Sequence, residues 1–161
     1  MNIKVEKSYA CTITASNLFC ACSDGIIRVF NPKTLEHIMT LPKPPPLGTA
    51  NIESGVKKIR IPATKESKFA DTIAVIIDEQ RERVLALYSD RMMFMWDIKK
   101  LDKISVYRTF LYHSAPIHDL VMLNNVPSTP AIDGVSSFAT CSSDKTIRFW
   151  HFIDPSIPAV K

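Results

Sequence analysis

Apolar, β-branched and aromatic residues recur along this chain in short runs bounded by Asn, Asp, Gly and Pro, the pattern of strands joined by tight turns. The first runs are Tyr9–Ser16, Leu18–Cys22, Ile26–Phe30 and His37–Leu41. Asn17 separates the first pair, Gly25 supplies the positive φ of a turn at Ser23-Asp24-Gly25, and Asn31-Pro32 ends the third run. Together they predict one four-stranded antiparallel meander. A second follows at Asp71–Asp78, Arg83–Ser89, Met92–Ile98 and Ile104–Leu111. A third comprises Ile117–Leu123, Ser137–Ser143 and Thr146–Phe152. The units are therefore 8–41, 71–111 and 117–152, within a single domain over 1–161.

Two stretches interrupt this rhythm. Residues 42–70 open with PKPPPLG, which lacks the backbone N–H groups an interior strand needs, and continue as a charged segment in which Val56–Ile61 offers a short strand of its own. Residues 124–135, rich in Pro, Asn and Ser, read as a loop. Asp24, Asp90 and Asp144 each stand six positions before an aromatic residue, Phe30, Trp96 and Trp150. Their intervals of 66 and 54 residues exceed the roughly 40–45 of one propeller blade, and the two insertions account for the excess. The expectation is an all-β propeller segment of three blades. Propellers close with typically 4–8 blades, so the ring is incomplete and leaves an open sheet face at each end. IDPSIPAVK after Phe152 is too short and proline-bearing for an outer strand. A piece of a longer chain is the favoured reading, with neighbouring blades of the parent chain covering the open faces; self-association of copies is the alternative.

Composition narrows the function classes. The 161 residues are 46% hydrophobic, with no run long enough to span a membrane and no apolar leader in MNIKVEKSYA, which points to a soluble, cytoplasmic protein. Cys11, Cys20, Cys22 and Cys141 form neither a paired CxxC metal motif nor a disulfide framework, so no metal or cofactor is expected. Cys20 and Cys22 share one side of a strand and read as small core thiols. A net charge of +4 is a weak basic excess. Lys57, Lys58 and Arg60 in the first insertion are the candidate interaction residues, for an acidic protein surface ahead of nucleic acid. Lys65, Lys68, Lys99, Lys100 and Lys103 read as solvated loop charge, and Pro42 with Pro44–Pro46 as a stiff connection in preference to a polyproline ligand.

Ser142, His113 and Asp144 supply the residue types of a hydrolytic triad, but the chain has no G-x-S-x-G elbow and no oxyanion site. Catalysis is not expected. Met92, Met93 and Met95 beside Phe94 and Trp96 alternate as a strand packed on both faces, which favours core over a methionine-rich binding strip.

His113, Thr140, Ser142, Asp144 and Trp150 in the third unit resemble the WD-repeat family, in which a His, a Ser or Thr, the turn Asp and the strand Trp form a hydrogen-bonded chain that braces the blade. The second unit keeps Asp90 and Trp96 without a preceding His, and the first keeps Asp24 with Phe30 in place of Trp, which removes the indole donor. Leu18–Gly48, Tyr88–Leu120 and Ser136–Phe152 further resemble the first propeller region of the mitogen-activated protein kinase-binding scaffold family, which includes a microcephaly-associated spindle-pole member. That resemblance implies a non-catalytic, cytoplasmic protein-interaction scaffold linked to kinase signalling or to spindle poles and centrosomes. A trafficking, ciliary or ubiquitin-ligase-adaptor propeller is the alternative, since fold alone does not give function. Nucleic-acid or chromatin binding through Lys57, Lys58 and Arg60 ranks lowest.

Overall fold

A computed structural model describes residues 6–44, 69–123 and 137–152. The predicted strand at 56–61, residues Lys57, Lys58 and Arg60, and most of both insertions lie outside them. The described residues form eleven strands: β1 (Ser8–Ile13), β2 (Leu18–Cys22), β3 (Ile27–Phe30), β4 (His37–Thr40), β5 (Thr72–Asp78), β6 (Arg83–Tyr88), β7 (Met93–Asp97), β8 (Ser105–Phe110), β9 (Ile117–Leu123), β10 (Ser137–Ser142) and β11 (Ile147–His151). They make three antiparallel sheets, β1-β2-β3-β4, β5-β6-β7-β8 and β9-β10-β11, numbered here sheets 1 to 3. Each sheet is a meander of sequential neighbours. The first strand of sheet 2, β5, lies against β1 on one side and β9 on the other, so the innermost strands of the three sheets sit side by side.

Period-two alternation sends each strand's residues to opposite faces, and this builds two separate cores. Phe19, Ala21, Ile27 and Val29 of sheet 1 pack on Val75, Val84, Ala86, Tyr88, Phe94 and Trp96 of sheet 2. The other face of sheet 2 turns Ile76, Leu85, Leu87, Met93, Met95 and Phe110 toward Ile117, Leu120, Phe138 and Phe152 of sheet 3. Every residue of β6 is buried, as expected for a strand covered on both faces. The methionine run divides as the alternation predicts: Met92 joins the first core, Met93 and Met95 the second.

Two expectations are corrected. β1 ends at Ile13 instead of running to Ser16, because the Thr14 N–H donates to the Asn17 carbonyl and closes the hairpin earlier. Sheet 3 has three strands among the described residues, as the three runs of the third unit predict. Cys22 is buried, but Cys20 is half-buried and Cys11 exposed, because the face of sheet 1 that carries them is turned away from sheet 2.

Gly25 fixes one crossing point. Its φ is +68°, and a Cβ there would meet Pro44 Cδ at 3.1 Å and Phe69 Cβ at 3.2 Å. The two described ends that flank 45–68 therefore converge on one turn. Asp24 holds them there, accepting from the Phe69 N–H and from the Lys43 ammonium. The Lys43 ammonium is the main cause of an Asp24 carboxyl held below the ordinary carboxylate range.

Candidate functional site

Sheet 3 carries a continuous polar network. His113 enters from the β8–β9 connection and is buried, with Nδ1 2.8 Å from Asp144 Oδ2 and Nε2 2.8 Å from Thr140 Oγ1. Trp150 donates its indole N–H to the same Thr140 oxygen at 2.9 Å. Asp144 can only accept, so it takes Nδ1–H; in the neutral ring Nε2 then accepts from the Thr140 hydroxyl, which itself accepts from Trp150.

Asp144 is the hub. It accepts from the Thr146 hydroxyl at 2.6 Å, the Thr146 N–H at 3.0 Å and the Ser114 N–H at 3.2 Å as well as from His113. The Thr146 hydroxyl is the largest cause of a carboxyl held well below the usual range, with His113 and the backbone donors adding to it against the effect of burial.

Ser142 lies outside that chain. Its hydroxyl faces the Ala115 and Pro116 carbonyls and accepts from the Asp144 N–H, tying the entry of β9 to the turn. His113 has both ring nitrogens engaged by Asp144 and Thr140, so Ser142, His113 and Asp144 do not assemble as a nucleophile relay.

The other two units use the same positions differently. Among the described residues, Asp90 accepts a local bond from the Met92 N–H. Trp96 is buried, but Ala86 occupies the position equivalent to Thr140. Its indole N–H, the Tyr88 hydroxyl and Thr72 Oγ1 are buried close to one another without a well-formed hydrogen bond among the described residues; burial is the main cause that pushes the Tyr88 phenol above its ordinary range, and Trp96 and Thr72 oppose it. Phe30 is half-buried and meets His37 edge-on at 5.5 Å.

Two contributors escaped the sequence reading. Thr146 follows the turn Asp by two, as DKT, and could have been found as a side chain positioned to bond back to it. Arg83 gave no signal: it is buried, lies 3.5 Å over the Tyr107 ring and donates to the Phe152 carbonyl, so it stitches sheet 2 to the end of β11.

The face of sheet 3 turned away from sheet 2 is apolar around Ile147, Phe149 and Val121, with the exposed Asp119 at its edge across from Cys141. Counting three and five residues past the turn aspartate gives Ile27 and Val29 in sheet 1, Met93 and Met95 in sheet 2, and Ile147 and Phe149 in sheet 3. The first four are at most 3% exposed, packed on the following sheet, whereas Ile147 is 67% and Phe149 70% exposed. Register places Ile147 beside Cys141, and Phe149 beside Ala139 and then Val121, which is also exposed. Among the described residues no group of three or more His, Cys, Asp or Glu is placed to hold a metal ion, and no helix is long and apolar enough to cross a membrane.

Comparison with known proteins agrees with this geometry. WD repeat-containing protein 62 of Sus scrofa is 30% identical over 151 residues, covering 94% of this chain and 10% of the relative. Mitogen-activated protein kinase-binding protein 1 of Homo sapiens is 34% identical over 146 residues, covering 89% of this chain and 10% of the relative. The chain thus spans about a tenth of the length of the curated relatives it matches. No protein-family model matches it. Among solved structures, the computationally designed Ika8 and Ika4 proteins superpose with TM-scores of 0.56 and 0.57 at 13% identity. Each match covers 90% of this chain, and 33% and 66% of the designed chains respectively, which supports the fold alone.

Proposed function

The chain belongs to the WD-repeat family, and from that premise we propose that it is a non-catalytic protein-interaction segment of a cytoplasmic scaffold linked to kinase signalling or to spindle-pole organisation. The kinase link rests on one relative's name, which records binding to a mitogen-activated protein kinase. The interaction role rests on that same name, and the face of sheet 3 left open among the described residues suits a neighbouring sheet. Ile147 and Phe149 are apolar at positions whose equivalents in sheets 1 and 2 are buried against the next sheet. Leaving such residues in water forgoes about 1.5–3 kcal/mol per large side chain, so the face favours a cover. Its repeat equivalents specify the occupant: another sheet of the same type, a neighbouring blade of the parent chain or, as the alternative, a second copy of this chain.

The polar network of sheet 3 serves a different end. His113, Thr140, Asp144 and Trp150 bind one another in place of ligand, which suits a brace that holds the turn and the outer strand in register. Asp24, Phe30, Asp90 and Trp96 take the matching positions in the less complete braces of sheets 1 and 2.

Quantitative affinity capture with the wild-type chain, a Phe149→Asp chain and a Leu101→Asp chain tests the assignment. Proteins with WD-type sheets should be depleted about tenfold by Phe149→Asp, a loss of roughly 1.4 kcal/mol, and retained by Leu101→Asp. Full retention by Phe149→Asp would remove the basis for the docking face.

A further inference from the structure

Cys11 and Cys20 stand directly opposite each other on β1 and β2, with their sulfur atoms 3.4 Å apart and both thiols free. The hairpin dictates their geometry. The Thr14 N–H bonds the Asn17 carbonyl, which makes that pair a hydrogen-bonded one. Stepping along the register, Ile13/Leu18 is then non-hydrogen-bonded, Thr12/Phe19 hydrogen-bonded and Cys11/Cys20 non-hydrogen-bonded. Such pairs bring Cα atoms to about 4.5 Å and side chains closest together, inside the roughly 4.4–6.8 Å that a disulfide spans.

The pair is also reachable. Phe19 and Ala21 point into the core against sheet 2, so Cys20 between them points the other way, and Cys11 beside it is exposed. We propose that Cys11 and Cys20 form a redox-active dithiol, a modification site that closes to a cross-strand disulfide by exchange with a low-molecular-weight disulfide.

The exchange balances in two steps. The Cys11 thiolate attacks one sulfur of the small disulfide, forming a mixed disulfide and expelling one thiolate, which takes up a proton. Cys20 then gives up its proton to solvent as its sulfur attacks the Cys11 sulfur, and the second small thiol leaves. Cys11 is exposed and Cys20 half-buried, so the exposed sulfur begins the reaction; burial, followed by the hydrogen bond with Cys11, raises the Cys20 thiol in the same sense. The remaining cysteines are placed elsewhere: Cys22 is buried with its thiol toward the Cys20 carbonyl, and Cys141 lies in sheet 3.

Incubating the intact chain with oxidised glutathione, followed by alkylation and intact mass measurement, reads this directly. The expected product has lost two hydrogens, and a chymotryptic map, which cuts after Phe19, shows the Cys11 and Cys20 peptides linked until a reductant is added. Cys20→Ser should stop halfway, with a lasting glutathione adduct on Cys11, while Cys22→Ser and Cys141→Ser still close. Unreacted Cys11 and Cys20, a link through Cys22 or Cys141, or a wild-type chain that keeps its glutathione adduct would each overturn the assignment.

Discussion

Sheets 2 and 3 share the spacing from turn aspartate to tryptophan and hold themselves together by different means. Sheet 3 joins His113, Asp144, Thr140 and Trp150 in a network whose polar atoms all find partners. Sheet 2 buries the Trp96 indole N–H, the Tyr88 hydroxyl and Thr72 Oγ1 near one another, without bonds of that quality among the described residues. It is, however, packed on both faces, while sheet 3 exposes one. A polar brace matters most where apolar cover is incomplete: burying a second face contributes more than the net 0.5–1.5 kcal/mol of a typical hydrogen bond.

The largest test exchanges charge for apolar surface at equivalent positions. Met95→Asp buries an unpaired carboxylate between sheets 2 and 3 and should cost about 4 kcal/mol or more, enough to unfold the chain. Phe149→Asp, at the equivalent site of sheet 3, should stay within about 0.5 kcal/mol of wild type, because its side chain already faces water. Chemical denaturation of the two variants makes the comparison; equal losses would mean that the outer face of sheet 3 is covered in the free chain.

The next test separates the braces. Thr140→Val removes the shared partner of His113 and Trp150 and should cost about 2 kcal/mol by thermal melt. Tyr88→Phe removes a hydroxyl in only loose contact with Trp96 and Thr72 and should change stability by less than about 1 kcal/mol. A loss as large as that of Thr140→Val would show that the sheet 2 hydroxyl is bonded as tightly as its sheet 3 counterpart.

Acid should weaken sheet 3 and also the Asp24 turn of sheet 1, whose carboxyl is likewise held low. The Asp144 carboxyl lies below its unfolded value, so its contribution to stability is complete above the ordinary carboxylate pKa of about 3.9 and is lost as pH falls through that range toward the folded value. Melting curves of Asp144→Asn should lose part of the wild-type decline below about pH 4. An unchanged acid slope would place that decline elsewhere.

Backbone strain gives the smallest effect. Gly25, Arg91 and Lys145 occupy the same turn position with φ of 68°, 75° and 66°, and only the first is glycine. Lys145→Gly should gain about 0.5 kcal/mol, whereas Arg91→Gly should not, since Arg91 also donates to the Ser114 carbonyl at 2.6 Å.

Much of the fold was legible because strand alternation and turn residues are local. Runs such as Arg83–Ser89 and Met92–Ile98 declare both their faces, and the turn at Asp24-Gly25 declares its sharp bend. Partnerships across the sheets were less legible. The motif placed Thr140 and Ser142 together as brace residues, but two positions on one strand do not say which hydroxyl reaches His113, and only Thr140 does. Ala86 opposite Trp96 hid the loss of that acceptor in sheet 2. The open face was visible only by aligning Ile147 and Phe149 with buried counterparts, which requires knowing which side of each sheet is covered. The Cys11–Cys20 pair depended on a register set by a turn at Thr14–Asn17 that the sequence placed too late.

A photo-crosslinking amino acid in place of Phe149 tests the docking face most directly. Irradiated with cellular proteins, it should form adducts that map by mass spectrometry to strands of a WD-type sheet, of the parent chain's neighbouring blade or of a second copy. Adducts confined to unrelated folds, or none above the yield of the same crosslinker at Leu101, would contradict the account.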